Sequence, residues 1–343
     1  MGPREDPWEK IDQLFVEATA RGRFGGTMAI ALPGQPIRSR AYGLARARSG
    51  ARFETTTVSQ VASVSKQFTA AAVLLLEEDG RLDRTDRLSK WVEPTPASWE
   101  PIQLHHLLSH TSGLPHWRDL PGLDLFTPVP EAAILDAFAS RPLKFPPGRG
   151  WSYSSPGYHL LAEVVERASG QPYAEFVRSR IFAPLGMRRS CLGNRTPPEI
   201  ARAEGFGESG PVSSFDLDTT GKGAGDAWTT AEDLLRWDDA LSVPGSFLSP
   251  ASLEAMFRPQ AGLPPEETRE VPMFADPSYG YGWYLASLAG TALRFHSGDN
   301  PGFRALNVWL PGTDLRFAFC SNREATDVLS LGLGALESFV AYR

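Results

Sequence analysis

The run Val61-Ala62-Ser63-Val64-Ser65-Lys66-Gln67-Phe68 continues through Thr69 into Ala70-Ala71-Ala72-Val73-Leu74-Leu75-Leu76, then Glu77-Glu78-Asp79-Gly80. It predicts one helix of about four turns, with Ser63 near its N-terminus and Gly80 as a left-handed stop. Seven consecutive apolar residues leave no polar face, so this helix is expected to be buried all round. Side chains three residues apart share a helix face. Ser63 can therefore set its hydroxyl against the Lys66 amine inside a core. The same two residues can also serve as a helix cap and a lysine that snorkels to solvent. Spacing alone leaves both readings open.

Lysine usage narrows the choice. The chain has five lysines, Lys10, Lys66, Lys90, Lys144 and Lys222, against 29 arginines, and only Lys66 has a serine three positions before it. Where a positive charge suffices, the sequence mostly uses arginine, which stays protonated. A buried lysine can lose its proton and act as a base.

The 343 residues suit one large or two smaller domains. A chain of this size buries enough surface to need no disulfide or metal staple. A net charge of −6 with mixed signs and no basic run argues against a nucleic-acid partner. Cys191 and Cys320 stand in unrelated contexts, which predicts two buried thiols rather than a redox pair. The polar stretch Met1-Gly2-Pro3-Arg4-Glu5-Asp6-Pro7 lacks an apolar segment of the secretory kind, and no run approaches the length of a membrane span. A cytoplasmic location, with no membrane partner, is the resulting expectation; oligomeric state is not readable.

Along the chain, positions 8–20 carry a helical apolar period. Positions 27–32 and 37–43 read as a strand pair around Pro33-Gly34, and 53–61 as an extended lead into the Ser63 helix. From 82 to about 240 the pattern is helical and loop-like, with helices at 104–110, 130–139, 158–168, 173–181 and 230–241. At the last, Thr230 offers an N-cap with Asp233 three residues on. After Pro259, segments 279–288, 292–296, 303–310 and 315–320 are strand-like, and 328–342 closes as a helix. There are no repeats and no low-complexity tract. This segregation implies an α+β fold. An antiparallel sheet flanked by terminal helices is built from 1–81 and 260–343, and a mainly helical domain of 82–259 is inserted between them. The Ser63 helix falls at the junction, a preferred place for small-molecule sites.

Three clusters would have to converge there. Ser63 needs an adjacent base, since a serine hydroxyl is a weak nucleophile. No G-x-S-x-G elbow occurs, so a Ser-His-Asp hydrolase has no obvious nucleophile. In Trp151-Ser152-Tyr153-Ser154-Ser155-Pro156-Gly157-Tyr158, a phenol held near a lysine ammonium would have a lowered pKa and could exchange protons with a serine. In Phe295-His296-Ser297-Gly298-Asp299-Asn300-Pro301-Gly302-Phe303, Gly298 would let a substrate approach the strand edge. A backbone N–H just after it could join that of Ser63 as an oxyanion hole, worth roughly 3 kcal/mol per donor. His105, His106, His110 and His116 invite a metal check. His106 and His110 are four apart, but no H-E-x-x-H is present and no metal is expected.

Taken together, these motifs resemble those of the serine β-lactamase and penicillin-binding-protein superfamily, closest to its class C β-lactamase-like branch of D-peptidases and esterases. Ser63-Val64-Ser65-Lys66 matches S-x-x-K. Tyr153-Ser154-Ser155 stands where the family has Y-x-N, and His296-Ser297-Gly298 where it has K-T-G or H-x-G. Leu107-Leu108-Ser109-His110-Thr111-Ser112-Gly113-Leu114, Pro184-Leu185-Gly186-Met187 and Trp228-Thr229-Thr230-Ala231-Glu232-Asp233-Leu234 resemble further family segments, in the right order over about residues 10 to 340. The resemblance implies a β-lactamase/transpeptidase-like fold, with the histidine-rich stretch as scaffold.

It also implies roles. Ser63 would be the acylated nucleophile, Lys66 its proton-transfer partner, and Tyr153 general base and then acid. The N–H groups of Ser63 and Asp299 would form the oxyanion hole, with Ser155, His296, Ser297 and Gly298 binding substrate. Two departures matter. Ser155 replaces an amide that positions the lysine and substrate, and His296 removes a fixed positive charge suited to a penicillin carboxylate. The expectation is a serine hydrolase, without metal or cofactor, acting on small esters or amides. A β-lactamase or D-amino-acid peptidase is the alternative within the class. A non-catalytic ligand sensor is the alternative outside it.

Overall fold

A computed structural model describes residues 6–120, 122–195, 197–268, 274–313 and 315–342. Eight strands form one antiparallel sheet: β1 Gly26–Ala31, β2 Arg38–Tyr42, β3 Ala261–Gly262, β4 Ala275–Tyr279, β5 Tyr284–Leu288, β6 Thr291–Asn300, β7 Phe303–Leu310 and β8 Leu315–Ser321. Their order is β2-β1-β8-β7-β6-β5-β4-β3. The first two strands thus join the last six, as the segregated pattern predicts.

Alternation along the central strands sorts side chains by size. Ala29, Ala31, Ala305, Ala318 and Cys320 point to one face, and Met28, Ile30, Leu306, Val308, Phe317 and Phe319 to the other. The bulky face packs on the terminal helices Pro7–Ala20 and Val328–Tyr342. The alanine face lets the helix Ala231–Ser242 lie close against β1 and β8. That helix is capped as expected, Thr230 Oγ1 accepting the Asp233 N–H at 3.2 Å. Asp6 caps the first helix; the rest of the polar N-terminal stretch, residues 1–5, lies outside the described residues.

The stretch 82–259 carries most of the remaining helices, Ser155–Ser169 the longest. Short strands also occur there: Cys191–Leu192 and Ala227–Thr229 make a three-stranded sheet with Ser59–Gln60.

The helix after Ser63 is buried on every side from Lys66 to Leu76. It ends at Gly80, φ +66°. Its start differs from the expected continuous helix. A tight 3-10 turn, Ala62–Ser65, precedes the α-helix Lys66–Glu78, because Ala62 takes a left-handed φ of +46°. The single strand expected over 279–288 is two. Gly282 at φ +75° turns the chain, and a side chain on Gly280 would meet Met256 O at 2.2 Å. The strand expected to end at His296 runs on to Asn300. No helix among the described residues is long and apolar enough to cross a membrane. Cys320 is buried and Cys191 partly so, both as free thiols.

Candidate active site

The turn that carries Ser63 is held from both sides. Val61 N–H donates to Ala227 O at 3.0 Å, and Ala227 N–H donates to Ser65 Oγ at 2.9 Å. A left-handed conformation at a residue with a side chain is strain that its surroundings must maintain. Gly298 of β6 is part of that support. A Cβ there would fall 2.1 Å from Val61 O and 3.2 Å from the Ala62 side chain. The sequence places this glycine against an approaching substrate; what approaches it in the structure is the backbone before Ser63. Asn300 fastens the same contact, donating to Gln60 Oε1 at 2.7 Å and to Gly225 O at 3.0 Å.

Lys66 is wholly buried. Its Nζ lies 3.1 Å from Ser63 Oγ, 3.2 Å from Ser155 Oγ and 2.7 Å from Ala224 O. Lys90, Lys144 and Lys222 each meet a carboxylate; Lys66 bonds three uncharged oxygens. Burial therefore dominates and brings its pKa down to about 7, with Asp226 pulling weakly the other way. An amine at that value can donate to the Ala224 carbonyl while accepting the Ser63 proton. The Ala224 carbonyl is itself fixed by its loop, since Thr69 Oγ1 donates to Gly223 O at 2.6 Å.

Asp226 was invisible as a site residue in the sequence. It is buried, its carboxyl accepts the Gly223 N–H and its own, and burial raises its pKa to about 7.

Tyr153 is hydrogen-bonded to Ser63. Its ring centroid is 4.9 Å from Lys66 Nζ and 4.3 Å from the His110 ring. The expected lowering of its pKa is reversed. Burial among these rings outweighs the serine hydrogen bond and drives the phenol above its ordinary value. Tyr153 is consequently a proton donor at rest.

The Tyr153 loop rests on the histidine-rich stretch. His110, at φ +60°, accepts the Ser154 N–H on Nδ1 at 3.2 Å and the Ser152 N–H on its carbonyl at 3.0 Å. His116 Nε2 lies 3.3 Å from Ser155 Oγ. The backbone N–H of Arg118 donates to His116 Nδ1 at 3.3 Å, so the Nε2 of the neutral ring carries the hydrogen and donates to Ser155. Burial first, then the neighbouring Lys66, depresses the His116 pKa to about 3. Ser155 thus takes donors from both Lys66 and His116. The sequence singles out His116 only for a metal check and not as this second partner of Ser155, which comes from a loop with no motif of its own. His105 and His106 both bond Gln103, away from the contacts of His110 and His116, and no metal-competent cluster occurs among the described residues.

On β6, His296 Nδ1 is 2.7 Å from Ser297 O and Nε2 is 3.0 Å from Tyr279 OH. A carbonyl only accepts, so Nδ1 holds the hydrogen and Nε2 accepts from the phenol. Burial lowers the His296 pKa to about 3. His296 is thus neutral, with both ring nitrogens engaged. Ser297 and Asp299 have exposed side chains, the Asp299 carboxylate lying 2.6 Å from Arg304.

Their backbones face differently. Two-residue turns close the β5–β6 hairpin on Leu288 and Thr291 and the β6–β7 hairpin on Asn300 and Phe303. From either turn, alternation directs the N–H and C=O of Gly298 and Asn300 toward β7. Those of Ser297 and Asp299 point to the opposite edge, which β5 leaves unpaired beyond Phe295.

A family model described as Beta-lactamase matches residues 11–336. A penicillin-binding protein of Bacillus subtilis (strain 168) is 30% identical over 341 residues, covering 94% of this chain and 73% of that protein. Esterase EstB of Burkholderia gladioli is 31% identical over 325 residues, covering 81% of this chain and 79% of its own. The crystal structure of D-amino acid amidase from Ochrobactrum anthropi SV3 superposes with a TM-score of 0.79 at 26% identity, covering 96% of this chain and 98% of that one. With a family match that runs from the first helix to the last, the chain belongs to the Beta-lactamase family.

Proposed function

We propose that the protein is a serine hydrolase that cleaves small esters, and secondarily amides, through an acyl-enzyme on Ser63. The observation that carries this reading is the buried, uncharged-oxygen environment of Lys66, 3.1 Å from Ser63 Oγ. Neutral Lys66 takes the Ser63 proton as Oγ attacks the substrate carbonyl. Tyr153, protonated and bonded to Ser63, supplies a proton to the leaving group. The backbone N–H groups of Ser63 and Asp299 stabilise the oxyanion, a role supported by the unpaired edge that Asp299 faces. Lys66 passes its proton to the Tyr153 phenolate and, neutral again, takes a proton from the water that attacks the acyl group; the released Ser63 oxygen then recovers that proton from Lys66. All of these steps use protein groups alone. Substrate enters where the segments 1–81 and 260–343 meet the inserted 82–259.

The neutral, internally bonded His296 favours substrates without an obligatory carboxylate at that position. This puts esters ahead of penicillins, in keeping with the likeness to an esterase. A D-amino-acid amidase or peptidase activity is the second reading, favoured by the full-length structural likeness to D-amino acid amidase. Short-chain p-nitrophenyl esters, D-aminoacyl amides, D-alanyl peptides and nitrocefin assayed side by side decide between them. Highest kcat/KM on the esters is expected. Preference for D-aminoacyl amides would move the assignment to the second reading, and no turnover of any would favour a sensor.

A further inference from the structure

Outside the Ser63 pocket, an arginine lies partly buried without a counter-charge. Arg294 of β6 stands opposite Trp309 of β7, which stands opposite Arg316 of β8. Arg316 meets Asp239 at 3.3 Å. Arg294 has no such partner among the described residues. Its guanidinium carbon packs 3.6 Å from the Phe257 ring centroid and 4.5 Å from that of Trp309. The two rings stand at 80° to each other, so the guanidinium can lie flat on only one of them, and its N–H donors meet no carboxylate among the described residues. Burial alone pulls its pKa down to about 10, with no carboxylate offsetting it.

Arg294 lines a broadly open cavity, a groove of about 550 Å³ between the helix Pro250–Phe257 and the sheet. Leu253, Pro244 and Pro311 supply apolar wall, Arg258 a second cation, and Glu254 a carboxylate. The size is that of small-molecule sites generally. We propose that this cavity is a second ligand site, for a small organic carboxylate with an aromatic or branched apolar body. The carboxylate would take paired N–H donors from Arg294, the geometry in which guanidinium binds it best. The rings and prolines would cover the apolar body. An inorganic anion would leave those walls uncovered, and a neutral analogue would leave the guanidinium uncompensated. The site is independent of the reaction assigned to Ser63.

Calorimetric titration with benzoate tests this, with benzamide and inorganic phosphate as controls. Saturable one-to-one benzoate binding is expected for the wild type and for Ser63→Ala alike. Arg294→Gln should weaken it at least ten-fold while leaving ester turnover unchanged, and benzamide and phosphate should bind at least ten-fold more weakly. If Arg294→Gln does not fold, Arg258→Gln should still weaken benzoate binding several-fold. Equal benzoate affinity in the folded arginine variants, or equal affinity for either control, would overturn the proposal.

Discussion

Lys66 Nζ lies 3.1 Å from Ser63 Oγ, and no part of the lysine reaches solvent. The amine must be able to shed its proton for this pair to act. Lys66→Arg keeps the charge and much of the packing but cannot deprotonate. It should lower kcat/KM on p-nitrophenyl esters by about 100-fold or more, the usual scale of a lost general base. Far-ultraviolet circular dichroism checks that the fold persists. Near-wild-type turnover by this variant would remove Lys66 from the proton transfer.

The pH profile follows from the same pair. Lys66 titrates at about 7, so kcat/KM should rise through that value and fall towards tenfold per unit below it. His116 and His296, both at about 3, add no inflection between pH 5 and 9, whereas Asp226, raised to about 7, titrates in the same range as Lys66. Asp226 raises the Lys66 value. Asp226→Asn should therefore move the inflection to lower pH, and a shift the other way would contradict the coupling.

Gly298 sits where any Cβ would be driven into Val61 O. Gly298→Ala has to push β6 away from the Ser63 turn, at a cost of about 1–3 kcal/mol. Because Asp299 N–H moves with β6, kcat should drop more than KM rises. A drop in Tm with kinetics unchanged would separate the strand contact from the chemistry.

Asp238 gives a stability prediction remote from the site. It is buried, Oδ1 accepts from Asn307 at 2.8 Å, and burial lifts its pKa from 3.8 to about 8. A raised folded-state value means the native state holds the proton more tightly. That stabilisation is complete below pH 4 and is lost as pH climbs to about 8, by at most about 1.4 kcal/mol per unit. Asp238→Asn mimics the protonated acid. Its Tm should match the wild type at pH 4 and exceed it by a widening margin up to pH 8; equal slopes with pH would refute the assignment.

How far the sequence reached can be judged residue by residue. That Ser63, Lys66 and Tyr153 meet was legible from the ordered motifs of the family resemblance; the Ser63–Lys66 spacing alone left it open. Gly298 was legible as a glycine required by a close approach, but its partner, Val61, is far away in sequence and no pattern names it. The contact of His116 with Ser155 and the effect of Asp226 on Lys66 stayed hidden for the same reason: each pair meets only through tertiary packing. The Tyr153 pKa was misjudged in sign because burial by His110 and its neighbours cannot be seen from a Gly/Pro-rich loop. The α+β layout was readable since the strand segments cluster at the two ends. The strand break at Gly282 was not, because a glycine in an apolar run carries no mark of its φ.

Labelling with a fluorophosphonate, followed by intact mass and peptide mapping, tests the central claim most directly. A mass increase of one phosphonyl group on Ser63, absent from Ser63→Ala and slowed at pH 6 relative to pH 8, is the predicted result. No adduct, or one that persists in Ser63→Ala, would contradict Ser63 as the nucleophile.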